Sequence, residues 1–478
     1  MNKRVVVIGA GLGGLQCAYI LAKNGMEVTV LEQNAVIGGC LQSFRRGDIL
    51  FDTGFHYVGG LREGESLHPL FRYFDLLDLP WQQLDEDCFD EVVLGDKRYA
   101  LASGHERFAD TLTEAFPHEK EGIRRYTDFL RNVGEHIYDA FAPREAVDFY
   151  STSLFARSAY EFLCETIHDP VLRNVLSGSS IKMELNRDTL PLYIFAQINN
   201  SFIQSAWRLR GGGQQIADHL VSAITRMGGV VRTRAGVTRI EDKEGRAAGV
   251  WVGDEFIEAD YVICDIHPKE VIRLLADSPS VRKIYRRRIE SLEETFGVFT
   301  ANIRLKENAL PYLNRNIFVH QEGTDLWAND QMVNDQMVNS VMVSFYPDQP
   351  ALDLLTPVRW DEVAGLQGEG YEAYKAQKTE ACIRLVENRL PALRGAIDKV
   401  YTSSPLTYKR YTHTAEGSAY GIRKDWRSPL TTVLAPKTPV ENVLLTGQNL
   451  NLHGVLGVSM TSFITSAQIM GRFESLKV

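Results

Sequence analysis

The six cysteines of this 478-residue chain (Cys17, Cys40, Cys88, Cys164, Cys264 and Cys382) are scattered without a single CxxC pair. That spacing argues against a disulfide scaffold and a zinc site, and fits reduced thiols in a cytoplasm. Positive charge is in deficit. With 52 Lys and Arg against 61 Asp and Glu, the net charge of −9 argues against nucleic acid as a partner. Long apolar runs free of polar residues are also missing. Residues 189–207 carry no charge but include Gln197, Asn199, Asn200 and Gln204, which are costly in hydrocarbon, so a helix inside the protein is expected. Residues 442–471 are interrupted by glycines and polar side chains, so no membrane span is expected there either. The first residues enter a strand-like run at once, with no charged-then-apolar leader, and no signal peptide is expected.

What remains is an ordinary globular composition, 44% hydrophobic and 24% charged. The length exceeds what one growing core supports, so two intertwined domains are expected. Val5-Val6-Val7-Ile8 reads as a parallel strand buried on both faces. The loop Gly9-Ala10-Gly11-Leu12-Gly13-Gly14 follows at once. Gly9 allows the tight turn, Gly11 lets a pyrophosphate approach the backbone, and Gly14 lets helix and strand pack closely. Leu15, Ala18, Tyr19 and Ala22 fall at helical spacing, and Gly25 sits where a C-terminal cap belongs. A second strand, residues 27–31, ends in Glu32-Gln33. A carboxylate there accepts both ribose hydroxyls and repels a 2′-phosphate, which points to FAD or NAD and away from NADP.

The next piece selects between them. Gly38-Gly39-Cys40-Leu41-Gln42-Ser43, followed by Phe51-Asp52-Thr53-Gly54-Phe55-His56-Tyr57-Val58-Gly59, resembles the FAD-dependent phytoene desaturase, carotenoid isomerase and retinol saturase family, most closely its saturase-like branch. Most of that superfamily carries a basic residue directly after the paired glycines; Cys40 stands there, as in the saturase-like branch. The resemblance is dense at both ends of the chain and thin between Asp139 and Gln204. It implies an α/β fold: a Rossmann-type FAD-binding domain of the glutathione reductase-like superfamily, intertwined with an α+β substrate domain. The FAD domain would take residues 1–85, 206–275 and 405–478, and the substrate domain residues 86–205 and 276–404. FAD would be held non-covalently. The implied cofactor set is Gly9, Ala10, Gly11, Gly13, Gly14, Glu32 and Gln33, then Gly38, Gly39, Cys40, Ser43 and His56. It continues with Val237 near the adenine, Gly447 and Gln448 at the ribityl chain, and Gly457 and Val458 at a helix start facing the flavin N1/O2 edge.

Between these ends, residues 89–101 alternate like a hairpin about Gly95-Asp96, and residues 106–141 show helical spacing broken at Phe116-Pro117. Helices are expected over 146–166, 190–207 and 371–390, and after Arg210-Gly211-Gly212-Gly213-Gln214. Strands are expected over 230–232, 258–264, 296–305, 340–346 and 440–445. Phe149, Tyr150, Phe155, Tyr160, Phe162, Tyr193 and Phe195 either pack a core or line an apolar tunnel. A tandem repeat, Asn-Asp-Gln-Met-Val, occupies residues 329–338 and yields no function. Arg282, Lys283, Arg286, Arg287 and Arg288 form a dense basic cluster, a solvated face or a docking surface for anionic lipid.

The resemblance implies an oxidoreductase acting on C=C or CH–CH bonds of a long apolar polyene or isoprenoid by saturation, desaturation or isomerisation. His56, in the segment leading to the flavin, is the first candidate for the proton that completes saturation, and its alternative role is to hold a backbone carbonyl or the cofactor. Tyr57 and Tyr420 are further catalytic candidates, with His453 in reserve. A flavin amine oxidase shares the fold and would use Tyr57 or Tyr420 in an aromatic cage, but usually carries an acid where Gln448 stands. A non-catalytic isoprenoid-lipid-binding protein of this fold would have lost the phosphate-binding glycines kept here. The expected partner is an apolar small molecule, with peripheral contact to the inner membrane face, no metal and no nucleic acid.

Overall fold

The computed structural model describes residues 3–141, 149–328 and 338–471. All of the tandem repeat but Val338 lies outside them, as do the start of the helix expected from 146 and the side chains of Phe149 and Tyr150.

The strand Arg4–Ile8 is buried from Val5 onward and lies at the centre of a five-stranded sheet. Across that sheet the order is Val230–Arg232, Glu27–Leu31, Arg4–Ile8, Tyr261–Cys264, Val443–Leu445, every pair parallel. Parallel strands need crossovers, so the strands come from widely separated parts of the chain. The helix Leu12–Lys23 crosses over first, and it is buried from Gly13 to Ala22 because a second helix, Gly454–Met470, covers its outer side. There Gln16 Nε2 donates to Ser459 Oγ at 2.8 Å and Cys17 Sγ to the Ser462 carbonyl at 3.5 Å. A helix covered on both sides must be nearly apolar all round, and in this one the buried exception, Gln16, is hydrogen-bonded to the covering helix.

Above this layer lies a seven-stranded sheet, ordered Ile397–Ser403, Gly297–Leu305, Ala351–Val358, Ser340–Phe345, Asn316–His320, Asp90–Leu94, Lys97–Leu101. Its pairs are antiparallel except that between Asn316–His320 and Asp90–Leu94. Phe299, Val343 and Leu354 join a core with Ile383 and Val386 of the helix Gly368–Glu387, while Val298, Met342 and Leu355 turn to the opposite face. This period of two is the pleat itself. The second face looks toward the nucleotide-binding layer, and the site lies between.

Several expected elements shift. The helix expected over 190–207 runs Leu192–Gln204, and Trp207 belongs instead to the strand Ala206–Leu209, paired with Val58–Gly59 and Trp81–Gln83. Glu258 closes a three-stranded antiparallel sheet, Val237–Lys243, Arg246–Val252 and Glu255–Glu258, which the sequence did not suggest; the parallel strand starts only at Tyr261. Pro268 opens a helix, Pro268–Leu274, with His267 as its cap. The helix expected at Gly457 begins at Gly454. Of the aromatic group, Phe155, Phe162, Tyr193 and Phe195 are buried in a core with Trp327, and Tyr160 packs against Trp327 with ring centroids 5.4 Å apart; none of these five lines the apolar cavity described below.

Candidate functional site

A cavity of about 710 Å³ opens along the carboxyl ends of the parallel strands, where the sheet changes direction around Arg4–Ile8. Gly9, Gly11 and Gly13 form its floor, Glu32, Gln33 and Val237 one end, and Gly447, Gln448 and Val458 the other. Gly38, Gly39 and Cys40 run along its side. Gly9 has φ 97°, a conformation glycine adopts without strain. A Cβ on Gly14 would lie 2.2 Å from the Gly9 carbonyl oxygen, so only glycine lets helix and strand meet here. Glu32 is held in place by two backbone donors, Ala10 N–H at 3.0 Å and Asn34 N–H at 2.8 Å. The helix Gly454–Met470 brings its first turn, Gly454, Val455 and Val458, to the far end.

This donor set fits FAD. The bare glycine floor admits a pyrophosphate, a carboxylate marks the ribose end, and a helix N-terminus marks the flavin end. Four of the expected cofactor residues stand behind the lining. Ala10 orients Glu32, Gly14 packs the helix, Ser43 Oγ donates to Asp52 Oδ1 at 2.6 Å, and Gly457 packs against the Leu452 carbonyl. His56 lines the neighbouring cavity instead.

Asp265, which the sequence reading missed, lies at the centre of the floor. A Cβ on Gly11, Gly13 or Gly447 would meet its carboxylate within 2.7 Å. Burial pushes this carboxyl up to about 6, against the Gly14 N–H that favours its charge. An acid at the carboxyl end of a parallel strand beside the crevice was the available signal.

A second cavity, of about 200 Å³, adjoins the flavin end, and Cys40, Gly54, Phe55, Tyr420, Gly454 and Val455 belong to both. Val58, Phe202, Val298, Met342, Leu355 and Leu452 make its walls apolar. It brings together all the catalytic candidates: His56, Tyr57, Tyr420 and His453. Their protons are not equally free. Tyr57 Oη donates to Asp90 Oδ2 at 2.9 Å, and burial with that carboxylate raises the phenol well above its ordinary value. Tyr420 Oη donates to the Ile181 carbonyl, and its ring lies 4.2 Å from that of His453. Burial lowers His453 to about 4, and His453 Nε2 lies 3.1 Å from the Lys182 carbonyl. Burial, then the charge of Arg208, lowers His56 to about 4, so its imidazole is neutral at pH 7. Its Nδ1 lies 3.8 Å from Asp353 Oδ2, while Nε2 is buried without a hydrogen-bond partner among the described residues. Burial also raises the Cys40 thiol to about 11, which keeps it protonated.

Two ionisable side chains in this region carry only a weak local signal: Lys182 lies in a mixed stretch between Ser180 and Glu184, and Asp353 is the one polar residue of Ala-Leu-Asp-Leu-Leu at 351–355. Lys182 Nζ lines the cavity, 2.9 Å from Asp90 Oδ2 and 4.1 Å from the Phe202 ring centroid. Asp353, on the strand Ala351–Val358, is fully buried.

A family model for flavin containing amine oxidoreductases matches residues 12–457. All-trans-retinol 13,14-reductase of Rattus norvegicus is 27% identical over 98% of this chain and 85% of its own length. Prolycopene isomerase 1, chloroplastic, of an Oncidium hybrid cultivar is 24% identical over 51% of this chain and 45% of its own. Among solved structures, wild-type putrescine oxidase bound to putrescine superposes with a TM-score of 0.66 at 16% identity, over 99% of this chain and 100% of that one. With the nucleotide cavity, its glycine floor and this family match together, the chain belongs to the flavin containing amine oxidoreductase family and is an FAD-dependent oxidoreductase.

Proposed function

We propose that the protein reduces a conjugated C=C bond of an apolar polyene, a retinoid or carotenoid by class, to CH–CH. The observation that carries this reading is the apolar cavity opening onto the flavin end of the nucleotide cavity. The likeness to all-trans-retinol 13,14-reductase over nearly the whole chain supports it. Bound FAD supplies hydride chemistry; the protein's share is to hold the polyene, exclude water and provide a proton. Apolar walls do the first two. His56 is the residue for the third, because the protons of Tyr57 and Tyr420 are already engaged by acceptors.

The amine oxidase alternative meets a physical obstacle. The aromatic faces of Phe202 and Tyr57 already carry the Lys182 ammonium, 4.1 and 5.3 Å from their ring centroids, and a protonated amine entering this cavity would face that cation. The test is to photoreduce the flavin without oxygen, add all-trans-retinol or a carotenoid, and follow flavin reoxidation with product mass. Reoxidation with a gain of two hydrogens supports saturation. Isomerised product without reoxidation favours isomerase chemistry, reduction of oxidised flavin by the saturated compound favours desaturation, and its reduction by amines alone rejects the polyene reading.

Apolar substrates reside in membranes, and a docking surface is part of the same reading. Not all of the basic cluster serves it. Arg286 donates to the carbonyls of Val281, Ile272, Leu275 and Ala276, which makes it structural, and Arg288 donates to the carbonyls of Leu430 and Thr431. Arg282, Lys283 and Arg287 are exposed, beside Ile284 and Leu430, which are 78% and 88% exposed. Cations around two bare aliphatic side chains suit an anionic bilayer surface, with Glu290 the exposed acid on the same helix. Flotation with anionic liposomes should be lost when Ile284 and Leu430 are both replaced by Ser, and weakened by Arg287→Gln. No flotation of the unmodified protein at low salt rejects the surface.

A further inference from the structure

His56 is reached from two sides. Behind it lies a third cavity, of about 210 Å³, which among the described residues shares only Phe55 and His56 with the apolar one. Arg45, Asp52, Arg208, Tyr346, Asp348 and Gln349 bring polar groups to it, among the apolar Leu50, Leu209, Phe345 and Pro347. The exposed pair of Arg210 and Asp348 stands at its edge, and the space is large enough for several waters. From this cavity a hydrogen-bonded path runs inward. Tyr346 Oη donates to Asp353 Oδ2 at 2.7 Å and accepts the Asp52 N–H at 2.9 Å. Asn302 Nδ2 donates to Asp353 Oδ1 at 2.7 Å. Asp353 Oδ2 then faces His56 Nδ1 across 3.8 Å, and the unpartnered Nε2 lies on the other side of the ring.

We propose that Asp353 is the proton store of the site, loaded through the Tyr346 hydroxyl from water entering the third cavity, and that it re-protonates His56 as His56 gives up its proton. The balance is simple. Nε2–H of the neutral imidazole goes to the carbon next to the one that receives hydride. The Asp353 carboxyl proton passes to Nδ1, and a tautomer exchange or ring flip restores Nε2–H. Water in the third cavity, ultimately bulk solvent, returns one proton to Asp353. The gap of 3.8 Å must close by somewhat less than an ångström to make the hydrogen bond.

The electrostatics of the pair agree with this geometry. The groups facing it are Arg208, Asp52, Tyr346, Tyr408 and Asn302. Burial, with Asp52 adding to it, raises Asp353 to about 7 against the hydrogen bonds of Tyr346 and Asn302 and the charge of Arg208. Burial and Arg208 lower His56 to about 4. Both shifts put the proton on the carboxyl and leave the imidazole neutral, so this is an acid beside a relay and not an ion pair. His453, equally buried, has its Nε2 against a backbone carbonyl and no carboxyl partner among the described residues.

Only the last step rests on the proposed saturation, and the test separates the two. Infrared spectra of the FAD-loaded protein should show a protonated-carboxyl C=O stretch that fades as pH rises through about 7. The Asp353 component of that band, isolated as the difference between wild type and Asp353→Asn, should be kept in Asp52→Asn and in Asp265→Asn, two other buried carboxyls raised toward neutral pH. Its deuterium shift on transfer to D2O should slow at least ten-fold in Tyr346→Phe, which keeps the ring and removes the hydroxyl. In single turnovers with all-trans-retinol, Asp353→Asn should slow flavin reoxidation roughly 10²-fold and enlarge the solvent isotope effect, with FAD content unchanged. Asp353→Glu should recover part of the rate. A band unaffected by Asp353→Asn, exchange unaffected by Tyr346→Phe, or unslowed turnover in Asp353→Asn overturns the proposal. If no polyene reoxidises the flavin while band and exchange behave as expected, the proton store stands and the saturation reading falls.

Discussion

Asp90 shows what a single buried side chain does in this site. It accepts from Tyr57, Lys182 and Asn316, so its carboxylate is satisfied on both oxygens. Tyr57→Phe removes one of three donors and, since that proton was never free, should leave polyene turnover within roughly ten-fold of wild type. Lys182→Met strands a buried carboxylate and should destabilise the fold by roughly 3–5 kcal/mol in denaturant titration. His56→Ala should keep FAD bound yet slow reoxidation by roughly 10²-fold; loss of FAD would reassign the residue to cofactor binding. Asp265 predicts a pH dependence. A neighbouring pyrophosphate pushes a carboxyl already near 6 higher still, so the complex keeps a proton that the free protein loses above pH 6. FAD affinity should therefore fall several-fold as pH rises from 6 to 8, and calorimetry on Asp265→Asn should show that slope flattened.

At the scale of elements, the strand, helix and return strand of the nucleotide-binding unit fall where the sequence puts them: Arg4–Ile8, Leu12–Lys23, Glu27–Leu31. They were legible because each carries a complete local code: a buried apolar run, a glycine turn, helical spacing and a glycine past the cap. Two glycines of that code differ in what they do. Gly14→Ala drives a methyl into the Gly9 carbonyl and should abolish FAD binding. Gly25→Ala meets no atom within 4 Å and carries only the strain of φ 79°, roughly 1 kcal/mol, so the protein should stay yellow. Equal FAD content in both variants would contradict the close-packing argument. Elements without such a code were missed or displaced. The sheet of Val237–Lys243, Arg246–Val252 and Glu255–Glu258 has mixed polarity, and the polarity of Trp207 does not say whether the helix before it has ended.

For the molecule as a whole, the cavity that fits FAD is lined by four distant stretches of chain: the first 55 residues, 235–274, 409–421 and 446–458. A ligand bound only by the folded state adds its binding energy to stability, about 4 kcal/mol at a thousand times its Kd. Removing FAD should lower the melting temperature by several degrees and adding it back should restore the loss, whereas NAD should not. The sequence by itself determined the nucleotide-binding unit and the choice of FAD over NADP, because glycine turns and apolar periods act over a few residues. Only the tertiary structure decided which buried groups face one another. Asp90, Lys182 and Tyr57, or Asp353 and His56, are separated by tens to hundreds of residues, and their charge states follow from the desolvation and partners that packing creates.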